Sequence, residues 1–137
     1  MIYYLKEVIY LDILIRYGFS IEEIQNMMDT NMFINSISDN DISLLLKLLE
    51  DIGCSQSEIK NIIITNPFYF NQNINSIKKL FDYLKKINIS SITTLLDSNP
   101  YLLNLSSKDI YHIIEKMKKE GADEIFILNY LQYEYLV

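Results

Sequence analysis

The sequence has little of the three residues that most often shape disulfide-rich or β-rich domains. Its 137 residues include one cysteine, two prolines and three glycines. The lone cysteine, Cys54, can form neither an internal disulfide nor a thiolate metal cluster, which predicts a reducing, intracellular setting. The scarcity of proline and glycine favours helices with short connections and argues against a β-sandwich or barrel. The predicted fold class is therefore all-α.

A long uncharged hydrophobic run is also missing. The apolar stretch at residues 1–18, MIYYLKEVIYLDILIRYG, is interrupted by four charged side chains: Lys6, Glu7, Asp12 and Arg16. No part of it approaches the length of a membrane span or of the apolar region of a signal peptide. We therefore predict a soluble, cytoplasmic protein without a membrane partner, in which residues 1–137 form a single helical-repeat domain.

Residues that carry catalysis or bind metals are sparse. His112 is the only histidine, and no second histidine or cysteine lies at ligand spacing from it. Acidic residues occur in adjacent pairs, but adjacent positions of a helix diverge, so they do not suit paired-carboxylate catalysis. No glycine-rich phosphate loop or nucleophile motif is present. The sequence predicts a protein that is not an enzyme and that has no cofactor, metal or small-molecule substrate.

Charge is distributed unevenly along the chain, whose net charge is −6. Residues 1–59 hold 3 basic and 10 acidic side chains, a balance of −7. Residues 60–119 hold 9 basic and 4 acidic side chains, a balance of +5, and residues 120–137 hold 4 acidic side chains and no basic one. This distribution predicts a basic region between two acidic ends.

Turn-forming and apolar anchor residues recur at regular intervals. A glycine or asparagine is followed 12 or 14 residues later by proline or methionine, and the next glycine or asparagine lies 21 residues further on. The anchors are Gly18, Met32, Gly53, Pro67, Asn88, Pro100 and Gly121. Interlocking intervals of this kind are typical of a helical-repeat array. We predict about four repeats.

Each repeat is expected to contain a long amphipathic helix before the glycine or asparagine and a shorter helix after it. Short apolar turns, of 3₁₀ type, are expected to follow the short helices at Asn31, Pro67 and Pro100. The eight predicted helices lie near residues 2–17, 20–30, 39–52, 55–65, 73–87, 90–98, 106–120 and 122–135.

The short helices carry an apolar stripe with the spacing i, i+3, i+4, which predicts one buried face. In the second repeat we predict burial of the stripe and of one residue in the following turn: Ile59, Ile62, Ile63 and Phe68. The fourth copy keeps Ile125 and Leu128 at the first two positions and has Asn129 at the third. Such a departure is typical of a terminal repeat.

Polar residues mark the predicted helix starts. Ser20 with Glu23 and Ser55 with Glu58 have capping-box spacing. The candidate N-caps of three other helices are Asp39 or Asp41, Ser90 or Ser91, and Ser106 or Ser107. The glycine anchors are predicted to adopt positive φ at helix ends, with Asn88 as the substitute, and the Asn-Pro pairs to end the short helices.

Three segments share the arrangement of helix, turn, short helix and Asn-Pro or its equivalent: LLKLLEDIGCSQSEIKNIIITNPFYF, LFDYLKKINISSITTLLDSNPYLL and, more loosely, LDILIRYGFSIEEIQNMMDTNMFI. The pattern resembles the repeat of the mitochondrial transcription termination factor (mTERF) family, and the resemblance covers most of the chain. It implies a short right-handed superhelix of triangular three-helix motifs. It also implies binding of double-stranded DNA or RNA along a basic concave surface, without catalysis.

Seven lysines of the basic region fall on two consecutive long helices. Two adjacent pairs, at 85–86 and 118–119, are 33 residues apart, so stacked repeats are expected to align them in a ridge that can contact phosphates. The same place in the preceding repeat holds Glu50 and Asp51, and the ridge has no arginine. An ordinary solvated helix face is the competing interpretation. The ridge comprises Lys78, Lys79, Lys85, Lys86, Lys116, Lys118 and Lys119.

The function inferred from the sequence is non-catalytic binding. The negative net charge opposes long-range attraction to nucleic acid, so the preferred partner is a protein, bound in the manner of a regulator or inhibitor. Nucleic-acid binding through residues 78–119 is the alternative. The candidate protein-interface residues, taken from acidic pairs and from the tyrosine-rich C-terminus, are Glu22, Glu23, Glu50, Asp51, Tyr130, Tyr133 and Tyr135.

Overall fold

A computed structural model describes residues 12–87, 89 and 91–135 of the chain, and these residues form helices and no strand. Residues 12–17 form helix α1; the earlier part of the predicted first helix lies outside the described residues. The remaining helices are α2 (Ile21–Thr30), α3 (Asp39–Asp51), α4 (Gln56–Thr65), α5 (Ile74–Lys86), α6 (Ile92–Ser98), α7 (Ser107–Lys119) and α8 (Glu124–Asn129). Three 3₁₀ turns, which we call turns 1, 2 and 3, span Met32–Ser36, Pro67–Asn71 and Pro100–Asn104. A π-helical turn, Tyr130–Glu134, follows α8.

The all-α fold class and the repeat register predicted from the sequence are confirmed. The long helices α3, α5 and α7 have 13 residues each and begin at residues 39, 74 and 107. Successive long helices contact each other, as do successive short helices α2, α4 and α6 and successive 3₁₀ turns. Each repeat thus adds one element to each of three rows, and the apolar core lies between the rows.

The capping residues explain where the helices begin. Ser20 Oγ accepts a hydrogen bond from the Glu23 N–H at 3.0 Å, and Glu23 Oε1 accepts one from the Ser20 N–H at 2.8 Å. Ser55 and Glu58 form the same box, and Ser91 and Ser106 cap α6 and α7. These predictions are confirmed. Each reciprocal pair satisfies two N–H groups that the first helical turn leaves free.

The predicted N-cap of α3 is wrong, because the cap is Ser38 and neither Asp39 nor Asp41. Ser38 has extended backbone geometry, and its Oγ accepts a hydrogen bond from the Asp41 N–H at 3.1 Å. Both aspartates lie in the first turn, where a negative charge interacts favourably with the helix dipole. Positive φ is confirmed at the three glycines, for example 103° at Gly53, and Asn88 lies outside the described residues.

The burial prediction holds for the second short helix and fails for the turn. Ile59, Ile62 and Ile63 are fully buried, whereas Phe68 is 40% exposed. Turn 2 buries its first, third and fourth residues, whereas its second residue, Phe68, faces solvent. Tyr101 is the exposed second residue of turn 3 in the same way. The prediction rested on the apolar residues at matching places of the other repeats, and the exposed Phe68 and Tyr101 show that apolar residues also occupy the outward position of the turn.

The assignment of the fourth repeat is also wrong. Ile125 is 74% exposed, and the buried residues are Ile127 and Leu131. The N-cap of α8 is Asp123, and its fourth following residue, Ile127, takes the place that Ile59 takes after Ser55. Leu131, in the π-helical turn, follows Ile127 by four positions, as Ile63 follows Ile59 in α4.

Buried asparagines join successive repeats at the ends of the short helices. The side-chain amide of Asn31 donates to Pro67 O and to Asn71 Oδ1, both at 3.2 Å. Asn66 repeats this pattern one repeat later, donating to Pro100 O and to Asn104 Oδ1, both at 3.0 Å. We call this series, which continues with Asn99, the asparagine ladder.

The ladder ends in the C-terminal repeat. The Asn99 amide donates to Leu131 O at 2.8 Å and to Tyr135 O at 2.9 Å, so the π-helical turn takes the place of a fourth 3₁₀ turn. Asn31, Asn66 and Asn99 are at most 6% exposed. Buried polar groups of this kind must be paired, and each pair here spans two repeats, so the ladder fixes the register between neighbours.

Candidate nucleic-acid interface and acidic surfaces

All seven lysines of the predicted ridge are exposed on α5 and α7. The pairs at 85–86 and 118–119 occupy the last two positions of these 13-residue helices, which confirms their structural equivalence. Lys118 Nζ lies 3.9 Å from Glu115 Oε1, and in the described part of the chain the other six form no ion pair. Cations in the last turn also favour the helix, because they interact with the negative end of its dipole.

The helix bounds divide the exposed positions of the two helices into two stripes. Positions 6, 10 and 13 share one face, because residues spaced i, i+4 and i+7 lie within one arc of a helix. This face holds Lys79, Tyr83 and Lys86 on α5 and His112, Lys116 and Lys119 on α7. None of these six side chains is a carboxylate. We call this face the basic stripe.

The adjacent face has a mixed charge. Positions 5, 9 and 12 hold Lys78, Asp82 and Lys85 on α5 and Tyr111, Glu115 and Lys118 on α7. Each helix therefore carries one carboxylate on this face, the exposed Asp82 and the half-buried Glu115. These carboxylates also lie one turn before Lys86 and Lys119, and Asp109 lies one turn before His112, so the two stripes are not fully separate in charge. They differ in ion pairing, because Lys118 of this face lies 3.9 Å from Glu115, whereas the four lysines of the basic stripe form no ion pair within the described residues. We call the second face the mixed stripe.

Aromatic rings connect the two helices across these stripes. The Tyr83 and Tyr111 rings meet edge to face with centroids 6.3 Å apart, and the Tyr111 and His112 rings are 5.6 Å apart. Burial, followed by the nearby Glu115 charge, raises the pKa of Tyr83. The sequence analysis missed this cluster because the ring pair joins residues 28 positions apart. The i, i+4, i+7 spacing of Lys79, Tyr83 and Lys86 was the available signal.

The acidic end of α3 is the counterpart of the lysine pairs. Glu50 and Asp51 occupy the last two positions of α3, where a negative charge is unfavourable to the helix dipole. Asp51 Oδ1 is 3.3 Å from Lys47 Nζ, one turn earlier. Burial and the Glu50 charge raise the pKa of Tyr17 to about 12. Glu50 is exposed and forms no ion pair within the described residues.

The other two acidic candidates differ in their surroundings. Glu23 caps α2 and lies 3.3 Å from Lys60 Nζ on α4. The hydrogen bond from the Ser20 backbone lowers the pKa of Glu23, and Lys60 acts in the same direction. Glu22 is exposed and makes no ion pair in the part of the chain that the structure describes. Glu23 thus has a role in stability, which Glu22 lacks.

The three candidate tyrosines do not form one exposed cluster. Tyr130 and Tyr135 are half-buried and pack edge to face, with ring centroids 5.8 Å apart. Tyr135 also supplies a backbone carbonyl to the asparagine ladder. Tyr133 is 69% exposed, and its hydroxyl accepts a hydrogen bond from the Gln132 amide at 2.9 Å. Of the three, Tyr133 alone offers most of its ring to a partner.

Cys54 is a buried thiol, as expected for a structural residue. Burial, with the nearby charges of Glu58 and Asp97, raises the pKa of Cys54 to about 12. We predict that at pH 8 the folded protein reacts with a disulfide reagent at least about a hundredfold more slowly than the unfolded chain, because the thiolate is the nucleophile. Equal rates in buffer and in denaturant would contradict this assignment.

The fold and the exposed surfaces together define a helical-repeat binding scaffold. No helix of residues 12–87 and 91–135 has the length and apolarity needed to cross a membrane. In the same range, no group of three or more histidine, cysteine, aspartate or glutamate residues is placed to hold a metal.

Comparison with protein-family models identifies the scaffold. The mTERF model matches residues 14–127, and the chain therefore belongs to the mTERF family, a family of non-enzymatic helical-repeat binding proteins. No curated protein and no solved structure matches the chain.

Proposed function

We propose that this chain binds nucleic acid through the basic stripe of α5 and α7. The observation that carries the proposal is the composition of the stripe: four lysines, His112 and Tyr83 lie on two adjacent helices, and within the described residues none of these four lysines forms an ion pair. Lysine ammonium groups in such a row suit the phosphate backbone, whose contacts release counterions. The mTERF family, whose members bind nucleic acid, agrees with this function.

Local charge outweighs net charge at this surface. The screening length at physiological salt is about 8 Å, close to the diameter of one helix. Phosphates docked on α5 and α7 therefore interact mainly with the charges of these two helices. The net charge of −6 slows the approach from a distance but does not remove a contact with the stripe.

The chemistry of the stripe favours backbone contacts over base reading. Lysine acts as a point charge, whereas bidentate recognition of guanine requires the planar fork of arginine. The chain has no arginine between residues 60 and 119. We therefore expect binding that depends strongly on salt and weakly on base sequence.

Replacing Lys86 and Lys119 together by glutamine is expected to weaken duplex binding about tenfold or more in 0.1 M salt. The slope of log K against log salt is expected to fall by about 1.8, because each phosphate contact on DNA contributes about 0.9. The measurement is a titration of DNA and RNA duplexes followed by fluorescence anisotropy across a salt series.

The matched control is the pair Lys47→Gln and Lys108→Gln. Both residues are exposed, and both lie on long helices outside the ridge, so net charge changes equally. The pair Lys85→Gln and Lys118→Gln tests the mixed stripe, where the loss should be smaller because Lys118 already interacts with Glu115. Equal losses for all three pairs, or no binding by the native protein in low salt, would reject the proposal.

Recognition of a protein partner, as a regulator or inhibitor, is the second candidate. Its support is the pair Glu50 and Asp51, whose charges oppose the dipole of α3 and thus cost stability. Residues that lower helix stability at an exposed position suit a surface that meets a basic partner. Binding that is lost in a Glu50→Gln and Asp51→Asn variant, and kept in Lys86→Gln and Lys119→Gln, would support this candidate. Neither candidate function requires catalysis.

A further inference from the structure

The third short helix is about one turn shorter than the first two, and a groove lies beside α8. Helix α6 has 7 residues, whereas α2 and α4 have 10. A groove of about 220 Å³ lies against the first turn of α8 and the end of α7. Its lining is almost entirely aliphatic: Ile87, Ile89, Ile114, Ile125, Ile127, Leu128 and Leu131, with Lys118 and Glu124 at its edge.

The outer side of α8 is unusually apolar for an exposed helix. Ile125 is 74% exposed, Phe126 58% and Tyr133 69%. By contrast, the positions of α4 that match Ile125 and Phe126 hold the polar residues Ser57 and Glu58. We call these three residues and the adjoining groove the end surface. Ile125 also lines the groove, and exposed apolar area next to a groove marks an interaction site.

Acidic side chains frame the end surface. Four carboxylates are exposed on and beside α8, and residues 120–135 contain no basic side chain. They are Glu120, Asp123, Glu124 and Glu134. An apolar centre with a charged rim is the usual composition of a protein interface, and the sign of the rim selects a partner of opposite charge.

We propose that the end surface docks an amphipathic helix of another protein, one with an apolar stripe flanked by lysines or arginines. The short helices α2, α4 and α6 pack in a row, and the π-helical turn that follows α8 packs against α6, so the outer side of α8 presents the place where a further helix fits. An aliphatic side chain of the partner enters the groove, and its cations meet Glu124 and Glu134. The inference rests on the protein-partner candidate and specifies its site.

The test is selection from a displayed library of helical peptides with randomised surfaces. Four immobilised targets are compared: the native protein, Ile125→Asn, Ile21→Asn, and the variant with both Glu50→Gln and Asp51→Asn. Ile21 is the matched control, because it is 67% exposed in the first turn of α2, far from the end surface. We expect the native protein and Ile21→Asn to enrich peptides with net positive charge and apolar residues at i, i+3 or i+4, and i+7. Their affinity is expected to fall at least tenfold on Ile125→Asn.

Several results would overturn the inference. Peptides that bind Ile125→Asn equally well, or that carry net negative charge, would show that the end surface is not the site. Peptides lost only in the Glu50→Gln and Asp51→Asn variant would leave the protein-partner candidate standing and reject this site. No enrichment of peptides on any target would count against both the end surface and the protein-partner candidate. Concentration-dependent dimers that Ile125→Asn abolishes, measured by light scattering, would assign the surface to a second copy of the chain.

Discussion

Replacing Phe70 by alanine is expected to lower the free energy of unfolding by about 3–5 kcal/mol, a typical cost for a buried aromatic side chain. Phe70 is the fourth residue of turn 2, is 2% exposed and lies next to the fully buried Tyr69. The Tyr69 hydroxyl donates to Leu45 O at 2.6 Å and so ties turn 2 to α3. A cavity at Phe70 therefore opens at a point where two rows of the array meet.

Phe68 provides a control within the same turn. The side chain is chemically identical, two residues earlier, but 40% exposed. We expect Phe68→Ala to cost about 1 kcal/mol or less, because less apolar surface returns to water. Urea unfolding followed by circular dichroism measures both variants. A difference between them of less than about 1 kcal/mol would contradict the assignment of inward and outward positions in the turn.

Asn66→Ala is expected to lower the free energy of unfolding by about 2–3 kcal/mol. The substitution removes two hydrogen bonds and leaves the carbonyl of Pro100 without its donor in a buried site. The Oδ1 atom of Asn66 has no partner among the described residues, which already offsets part of the stabilisation. The loss should nevertheless approach half the stability of a marginally stable domain.

Asn61→Ala is the control for this second prediction. Asn61 also bridges two repeats, since its amide donates to Asp97 O at 3.2 Å and to Asp97 Oδ1 at 2.8 Å. The residue is exposed, so water replaces the lost bonds, and we expect a cost of about 0.5 kcal/mol. Equal losses of unfolding free energy at Asn61 and Asn66 would show that burial does not determine how much a hydrogen bond between repeats contributes to stability.

The repeat register was predictable because its signals are local. Gly53 needs a positive φ, and Ser55 with Glu58 completes a capping box, in each case within four residues of sequence. Local constraints of this kind do not depend on contacts with distant parts of the chain. The positions of the lysine pairs at the ends of α5 and α7 followed from the register alone.

The asparagine ladder was not predicted, because its bonds join residues 32–40 positions apart. The sequence analysis explained Asn66 and Asn99 only as residues that precede proline and end a helix. Asn31 precedes methionine, yet it occupies the same place. Asparagine recurs there even without a following proline, and this was the signal that its side chain makes structural contacts of its own.

The composition of the basic stripe was within reach of the sequence, because residues spaced i, i+4 and i+7 share a helix face wherever the helix begins. The sequence analysis grouped the lysines by their place in the repeat, as the pairs at 85–86 and 118–119, and so it did not separate Lys86 from Lys85. The contact between the Tyr83 and Tyr111 rings could not be predicted in this way, because it joins two helices.

The asparagine ladder also sets how this array can change its length. Each repeat carries a donor at one side and a matching acceptor at the other: Asn31 bonds to Pro67 and Asn71, and Asn66 bonds to Pro100 and Asn104. If residues 67–99 were removed, Asn31 would face Pro100 and Asn104, which offer the same acceptor groups. Asn66 would then stand where Asn99 now meets the C-terminal carbonyls. Whole repeats can therefore be removed or added, and in a shorter or longer chain the side-chain amide of each ladder asparagine still finds its two acceptors.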